Sequence, residues 1–155
     1  EDKMMYRSKG PVPAEDYTIP FGVAEVKRPG TDITIVATSS MVTVALGAAT
    51  LLEEAGISAE VIDPRTTYPL DKQALIDSAK KTSRALVVDE GYERYGVTAE
   101  IASVIAAGAF YHLDAPVGRM GAMDVPVPFS PVLEDLTVPS EKSVFEAARA
   151  LCRKA

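Results

Sequence analysis

Two hydrophobic rhythms alternate along the chain. Ile33-Thr34-Ile35-Val36-Ala37-Thr38 is a short β-branched run, apolar on both faces, as expected of a strand covered on both sides. After it, Val42, Leu46, Ala49 and Leu52 recur every three or four residues and form one stripe of a helix. Ser39 or Ser40 can cap that helix, because a serine oxygen accepts an orphan first-turn amide. Gly56 supplies the left-handed stop, and Ile57 to Ile62 forms the next strand, ending in Asp63-Pro64. The rhythm then repeats. Asp71 caps a helix running to Lys80, with Ala74, Leu75, Ile76 and Ala79 on its inner side. Ala85-Leu86-Val87-Val88-Asp89 is the most strand-like run of all. Gly91 and Gly96 bracket a loop, Val97 to Phe110 forms an alanine-rich helix, and Pro116 to Met120 makes a last strand. A stretch holding Pro126, Pro128, Pro131 and Pro139 crosses the surface before Ser140 caps a final helix.

Residues 1–30 break this pattern. Pro11, Pro13, Pro20 and Pro29 remove backbone donors and fix φ, so the segment reads as an extended arm in which Val23 to Val26 can pair as an edge strand. Residues 31–155 form the domain proper. Alternating strand and helix implies right-handed crossovers and a mostly parallel sheet of about five strands with helices on both faces, an α/β three-layer sandwich.

Composition narrows the function. The chain has 155 residues, enough for one domain with a proper core, and 47% of them are hydrophobic. Sixteen Lys and Arg against 22 Asp and Glu give a net charge of −6, which argues against nucleic acid as the main partner. One cysteine excludes an internal disulfide framework and a cysteine-rich zinc site. No apolar run approaches the roughly 18 residues of a membrane span, so no membrane partner is expected. Glu1-Asp2-Lys3 opens without the apolar stretch of a signal peptide, which points to the cytoplasm, or to the mitochondrial matrix in a eukaryote.

Three strand ends carry polar groups: Thr38-Ser39-Ser40, Asp63-Pro64-Arg65 and Asp89-Glu90-Gly91. Ligands of open α/β sheets bind outside such ends. Ser39 and Ser40 at a helix start, closed over by Arg65, can hold an anion, which would make the chain an organic-anion-binding regulator. The plainer expectation is that the serines cap the helix and Arg65 pairs with Asp63 or Asp71, since no glycine-rich phosphate motif accompanies them. Asp89 and Glu90 are adjacent and point to opposite strand faces, so structural roles are favoured over a catalytic pair. His112 sits just past a helix, with no nucleophile in a recognisable elbow, and reads as a helix-end histidine. Cys152 reads as a small core residue. No self-contained active site and no metal site emerges.

Longer blocks carry a resemblance. Thr18 to Gly22, Val61-Ile62-Asp63-Pro64-Arg65-Thr66-Thr67-Tyr68-Pro69-Leu70-Asp71, Val87 to Glu90, Asp124 to Phe129 and Leu136 to Ser140 together resemble the C-terminal, transketolase-like domain of the β subunit of the first component of thiamine-dependent 2-oxoacid dehydrogenase complexes. The Asp63-Pro64-Arg65-Thr66-Thr67 doublet leans towards the acetoin dehydrogenase branch, with pyruvate and branched-chain members close behind. The resemblance implies an oxidoreductase subunit whose thiamine diphosphate and Mg²⁺ are held elsewhere. No Gly-Asp-Gly motif occurs here, so this domain is expected to bind no cofactor and to be inactive alone. It also implies assembly with a second β subunit and with α subunits in an α2β2 heterotetramer. A further implied partner is the peripheral binding domain of the dihydrolipoyl acyltransferase, with Asp114 and the C-terminal Ala155 as docking positions. The acidic balance suits such a basic partner.

Overall fold

A computed structural model describes residues 5–6 and 9–153. Five strands, β1 (Glu25–Arg28), β2 (Ile33–Ala37), β3 (Ala59–Asp63), β4 (Ala85–Tyr92) and β5 (Gly118–Ala122), form one sheet in the order β1-β3-β2-β4-β5. All neighbours run parallel except β1, which lies antiparallel on β3. Helices α1 (Met41–Glu54) and α5 (Glu141–Cys152) cover one face, and α2 (Lys72–Thr82) and α3 (Val97–Ala109) cover the other. The expected α/β sandwich is thus observed.

Strand β2 lies at the centre, and all five of its residues are buried. Ile33, Ile35 and Ala37 pack under α1 and α5, while Val36 packs under α2 and α3. This two-sided burial explains the continuous apolar run. Helix α1 buries Met41, Ala45, Ala48, Ala49 and Leu52 rather than a stripe centred on Val42 and Leu46. Those two are only partly buried, at the margin of the face that α1 lays on the sheet. Gly47 of α1 faces the Glu141 carboxylate at the start of α5.

Several boundaries differ from the sequence reading, each for a local reason. The edge strand begins at Glu25, not Val23. The Gly22 amide donates to Thr66 Oγ1 (3.0 Å) and the Ala24 amide to Asp71 Oδ2 (2.9 Å), so residues 22–24 are spent on side chains. Strand β5 starts at Gly118, after Pro116, which has no amide to give the ladder. Strand β4 runs on to Tyr92 past a register shift, so Gly91 lies within it. Helix α3 stops at Ala109 and tightens into a 3₁₀ turn over Phe110–His112. The proline-rich stretch contains the short helix α4 (Pro131–Glu134). Asp71 caps α2 through the Ala74 amide, and Ser140 caps α5 through Ser143, as expected. Gly56 takes a positive φ of 78° after α1.

Hydropathy gave no warning of Glu60, a charged residue of β3 that is only 2% exposed. Its carboxylate accepts from Ser78 Oγ (2.5 Å), from the Lys81 ammonium and from the Gly30 amide (3.4 Å). Ser78 Oγ lies 2.6 Å from Thr34 Oγ1, which lies 2.8 Å from Thr82 Oγ1. Each hydroxyl owns one proton, so the order Thr82 to Thr34 to Ser78 to Glu60 satisfies the carboxylate. Burying a carboxylate is tolerable only with such partners. Lys81→Met is therefore expected to cost about 1–3 kcal/mol by stranding a buried charge. Lys80→Met, one residue away and exposed, should fall within about 0.5 kcal/mol of the unsubstituted chain. Urea unfolding of the two variants measures the difference, and equal midpoints would refute it.

Candidate functional site

At the carboxyl edge of the sheet, β2 feeds α1 on one face while β3 and β4 feed α2 and α3 on the other. Connections that part to opposite faces leave a crevice. Here it is a cleft of about 480 Å³ bordered by Thr38, Ser39, Asp63, Arg65, Tyr68 and Asp89. The connections after β2, β3 and β4 each hold a non-glycine residue in the left-handed region: Ser39 (φ 51°), Arg65 (φ 58°) and Tyr95 (φ 57°).

Ser39 and Arg65 border this cleft, whereas Ser40 does not. Neither serine caps α1 through its side chain. Instead Ser40 donates both its hydroxyl (2.5 Å) and its amide (3.3 Å) to Glu90, so a carboxylate of the chain itself occupies the start of α1. Thr38 Oγ1 donates to Asp89, which also accepts the Gly91 amide (2.9 Å). The adjacent acids therefore clamp the two ends of one turn, the structural role expected of them. Arg65 pairs with Glu25 of β1 at 2.7 Å rather than with Asp63 or Asp71. Only its backbone amide reaches Asp63 (2.8 Å). The missed signal is the edge strand: Glu25 comes opposite Asp63 through the antiparallel register. The Lys27 hydrogen bond, ahead of the Arg65 contact, holds the Glu25 carboxyl below its ordinary value. This stabilisation is present above the unfolded pKa of about 4.3 and is lost as pH falls through the lower folded value.

An anion entering the cleft competes with Glu25 for Arg65, and one at the start of α1 competes with Glu90 for Ser40. Nor does the cleft suit a magnesium diphosphate: among the described residues Arg65 is the only cationic side chain lining it and is already paired with Glu25, while Asp63 and Asp89 add negative charge. Among the described residues, no group of three or more His, Cys, Asp or Glu could hold a metal ion.

The amino edge is built differently. The Asp114 amide donates to Ser83 O (2.8 Å), and its carboxylate stands 3.1 Å from Arg84 Nη2. Asp114 separates an apolar groove of about 680 Å³, which includes Phe110 and Pro116, from a cleft of about 620 Å³ shared by Arg84, Leu151 and Arg153. His112 is exposed on the 3₁₀ turn. Ala155 lies outside the described residues. Cys152 is half-buried, 4.0 Å from the Asp32 carbonyl, and burial pushes its thiol up, against the opposing charge of Arg84.

Exposed apolar side chains segregate between the two edges. Tyr68 (93% exposed), Tyr95 (97%), Met123, Val127 and fully exposed Phe129 lie on carboxyl-edge connections, and exposed Phe21 precedes Gly22, which backs onto Pro69. Phe110 and Tyr111 are the large apolar side chains left open on the amino edge, stacked edge to face at 5.2 Å. Ion pairs at the carboxyl edge close on themselves: Arg65 with Glu25, Arg94 with Asp124 (3.1 Å), and Arg119 with Glu93 (3.5 Å).

The family model described as "Transketolase, C-terminal domain" matches residues 22–144. The chain belongs to this family. It is 46% identical over 151 residues to the acetoin:2,6-dichlorophenolindophenol oxidoreductase subunit beta of Bacillus subtilis (strain 168), covering 97% of this chain and 44% of that protein. It is 44% identical over 152 residues to the pyruvate dehydrogenase E1 component subunit beta of Rickettsia felis, covering 98% and 47%. The 2-oxoisovalerate dehydrogenase subunit beta of Bacillus subtilis is 43% identical over 153 residues, covering 97% and 47%. A solved structure titled "Split gene transketolase, inactive beta4 tetramer" superposes with a TM-score of 0.74 at 29% identity, covering 92% of this chain and 45% of that one. The chain thus spans slightly under half the length of these relatives. No helix among the described residues is long and apolar enough to cross a membrane.

Two outcomes are expected of these sites. Millimolar phosphate should shift the melting temperature little in the unsubstituted chain and more in Glu90→Gln, where one competitor is gone. Equal responses would remove the serine turn as an anion site. Cys152 should react with a thiol reagent far more slowly in the folded chain than in urea, and equal rates would contradict its packing.

Proposed function

We propose that this chain is the assembly and docking domain of a β subunit from a thiamine-diphosphate-dependent oxidoreductase acting on acetoin or a 2-oxoacid. Thiamine diphosphate supplies the carbon–carbon bond chemistry in such an enzyme, and other domains hold it with Mg²⁺. This domain holds those parts together and is inactive alone. Its carboxyl edge packs against the rest of the enzyme, the α subunit and a second β subunit included. Its amino edge around Asp114, with the C-terminal Ala155, takes up the peripheral binding domain of the dihydrolipoyl acyltransferase.

The segregation of exposed aromatic and aliphatic side chains on one edge carries this reading. An apolar face whose arginines pair with neighbouring carboxylates of the chain suits a lasting contact, which is typically more hydrophobic than a transient one. The relatives' subunit names and their greater length supply the partners' class. Bacterial and plant mitochondrial relatives make cytoplasm or mitochondrial matrix the fitting compartment.

Size-exclusion chromatography with light scattering tests the reading. The chain is expected to associate with itself or with added α subunit. The double substitution Tyr95→Lys and Phe129→Lys should abolish that association and change stability by no more than about 0.5 kcal/mol per site. A chain that stays monomeric and ignores both α subunit and acyltransferase would contradict it.

A further inference from the structure

We infer that Arg84 is a built-in competitor for Asp114, setting how tightly the amino edge takes up a basic partner; this rests on the docking role proposed above. Arg84 is anchored by the sheet. Its carbonyl accepts the Thr34 amide of β2 (2.9 Å), which fixes its backbone at the entrance to β4. Its side chain is 20% exposed, whereas that of Asp114 is 58% exposed, so the arginine reaches out from beneath the carboxylate. Arg153 borders the same cleft. One guanidinium therefore pairs this carboxylate and a second lines the cleft, on a molecule whose net charge is −6.

The local sign thus opposes the global one. At long range a basic domain is attracted to the acidic chain, which favours encounter. At contact its cation meets a carboxylate already neutralised at 3.1 Å and must share or displace Arg84. The arrangement keeps docking readily reversible and discriminates against partners that offer charge alone. A partner that also places an apolar side chain in the groove beside Phe110 and Pro116 gains contacts that Arg84 does not oppose.

The test is calorimetric titration of the 155-residue chain with the isolated peripheral binding domain of the acyltransferase, across a salt series. Arg84→Gln and the shape-conserving Arg84→Met are each compared with Asp114→Asn, with thermal unfolding run on every variant. An exposed ion pair is a modest competitor, so both Arg84 variants should bind about two- to five-fold more tightly at low salt and lose affinity more steeply as salt rises. Asp114→Asn should bind more weakly and erase the gain when combined with Arg84→Gln. If Asp114→Asn weakens binding while both Arg84 variants bind no better than the unsubstituted chain, the competitor role is overturned and the docking role stands. If Asp114→Asn binds as tightly as the unsubstituted chain, or nothing binds, the docking role itself fails and this inference with it.

Discussion

Everything in this domain depends on β2 being covered on both faces. A strand with every side chain buried leaves no room for a surface on either side of the sheet's centre. The helices must occupy both faces, and function is pushed to the two sheet edges. Parallel pairing with β3 and β4 then requires crossovers that leave in opposite directions, which opens the carboxyl-edge cleft. In many α/β proteins such a cleft binds a ligand. Here the chain's own carboxylates take the donors in and beside it: Glu90 those of Ser40 at the helix start, Glu25 the arginine and Asp89 the Thr38 hydroxyl.

The two edges consequently differ in chemistry. The carboxyl edge offers aromatic and aliphatic side chains among ion pairs internal to the chain, a surface suited to permanent burial. The amino edge offers a charged cleft beside one apolar groove, a surface suited to reversible contact. A membership in the transketolase C-terminal domain family, with relatives about twice the chain's length, fits a piece whose chemistry lies in its contacts.

The elements carrying strong period-2 or period-3.6 signals were legible from residues alone: β2, β4, α2 with its Asp71 cap, and α5 with its Ser140 cap. Local signals failed where a distant residue decides the outcome. Nothing near Ser40 announces that Glu90, fifty positions on, will take its hydroxyl and displace the expected cap. Glu25 becomes the partner of Arg65 only through an antiparallel register that no spacing encodes. Glu60 looks like a solvated strand position until Ser78 and Lys81 of α2 close over it. The resemblance put Asp114 forward as a docking position, and its side chain is exposed, yet Arg84 beside it is visible only in three dimensions.

The most direct measurement is hydroxyl-radical footprinting of the aromatic side chains, with the chain free and then assembled with the α subunit and the rest of the β subunit in the absence of acyltransferase. The account predicts that Tyr68, Tyr95 and Phe129 lose reactivity on assembly while Tyr111 keeps it. Protection of Tyr111 with Tyr68, Tyr95 and Phe129 unchanged would contradict it.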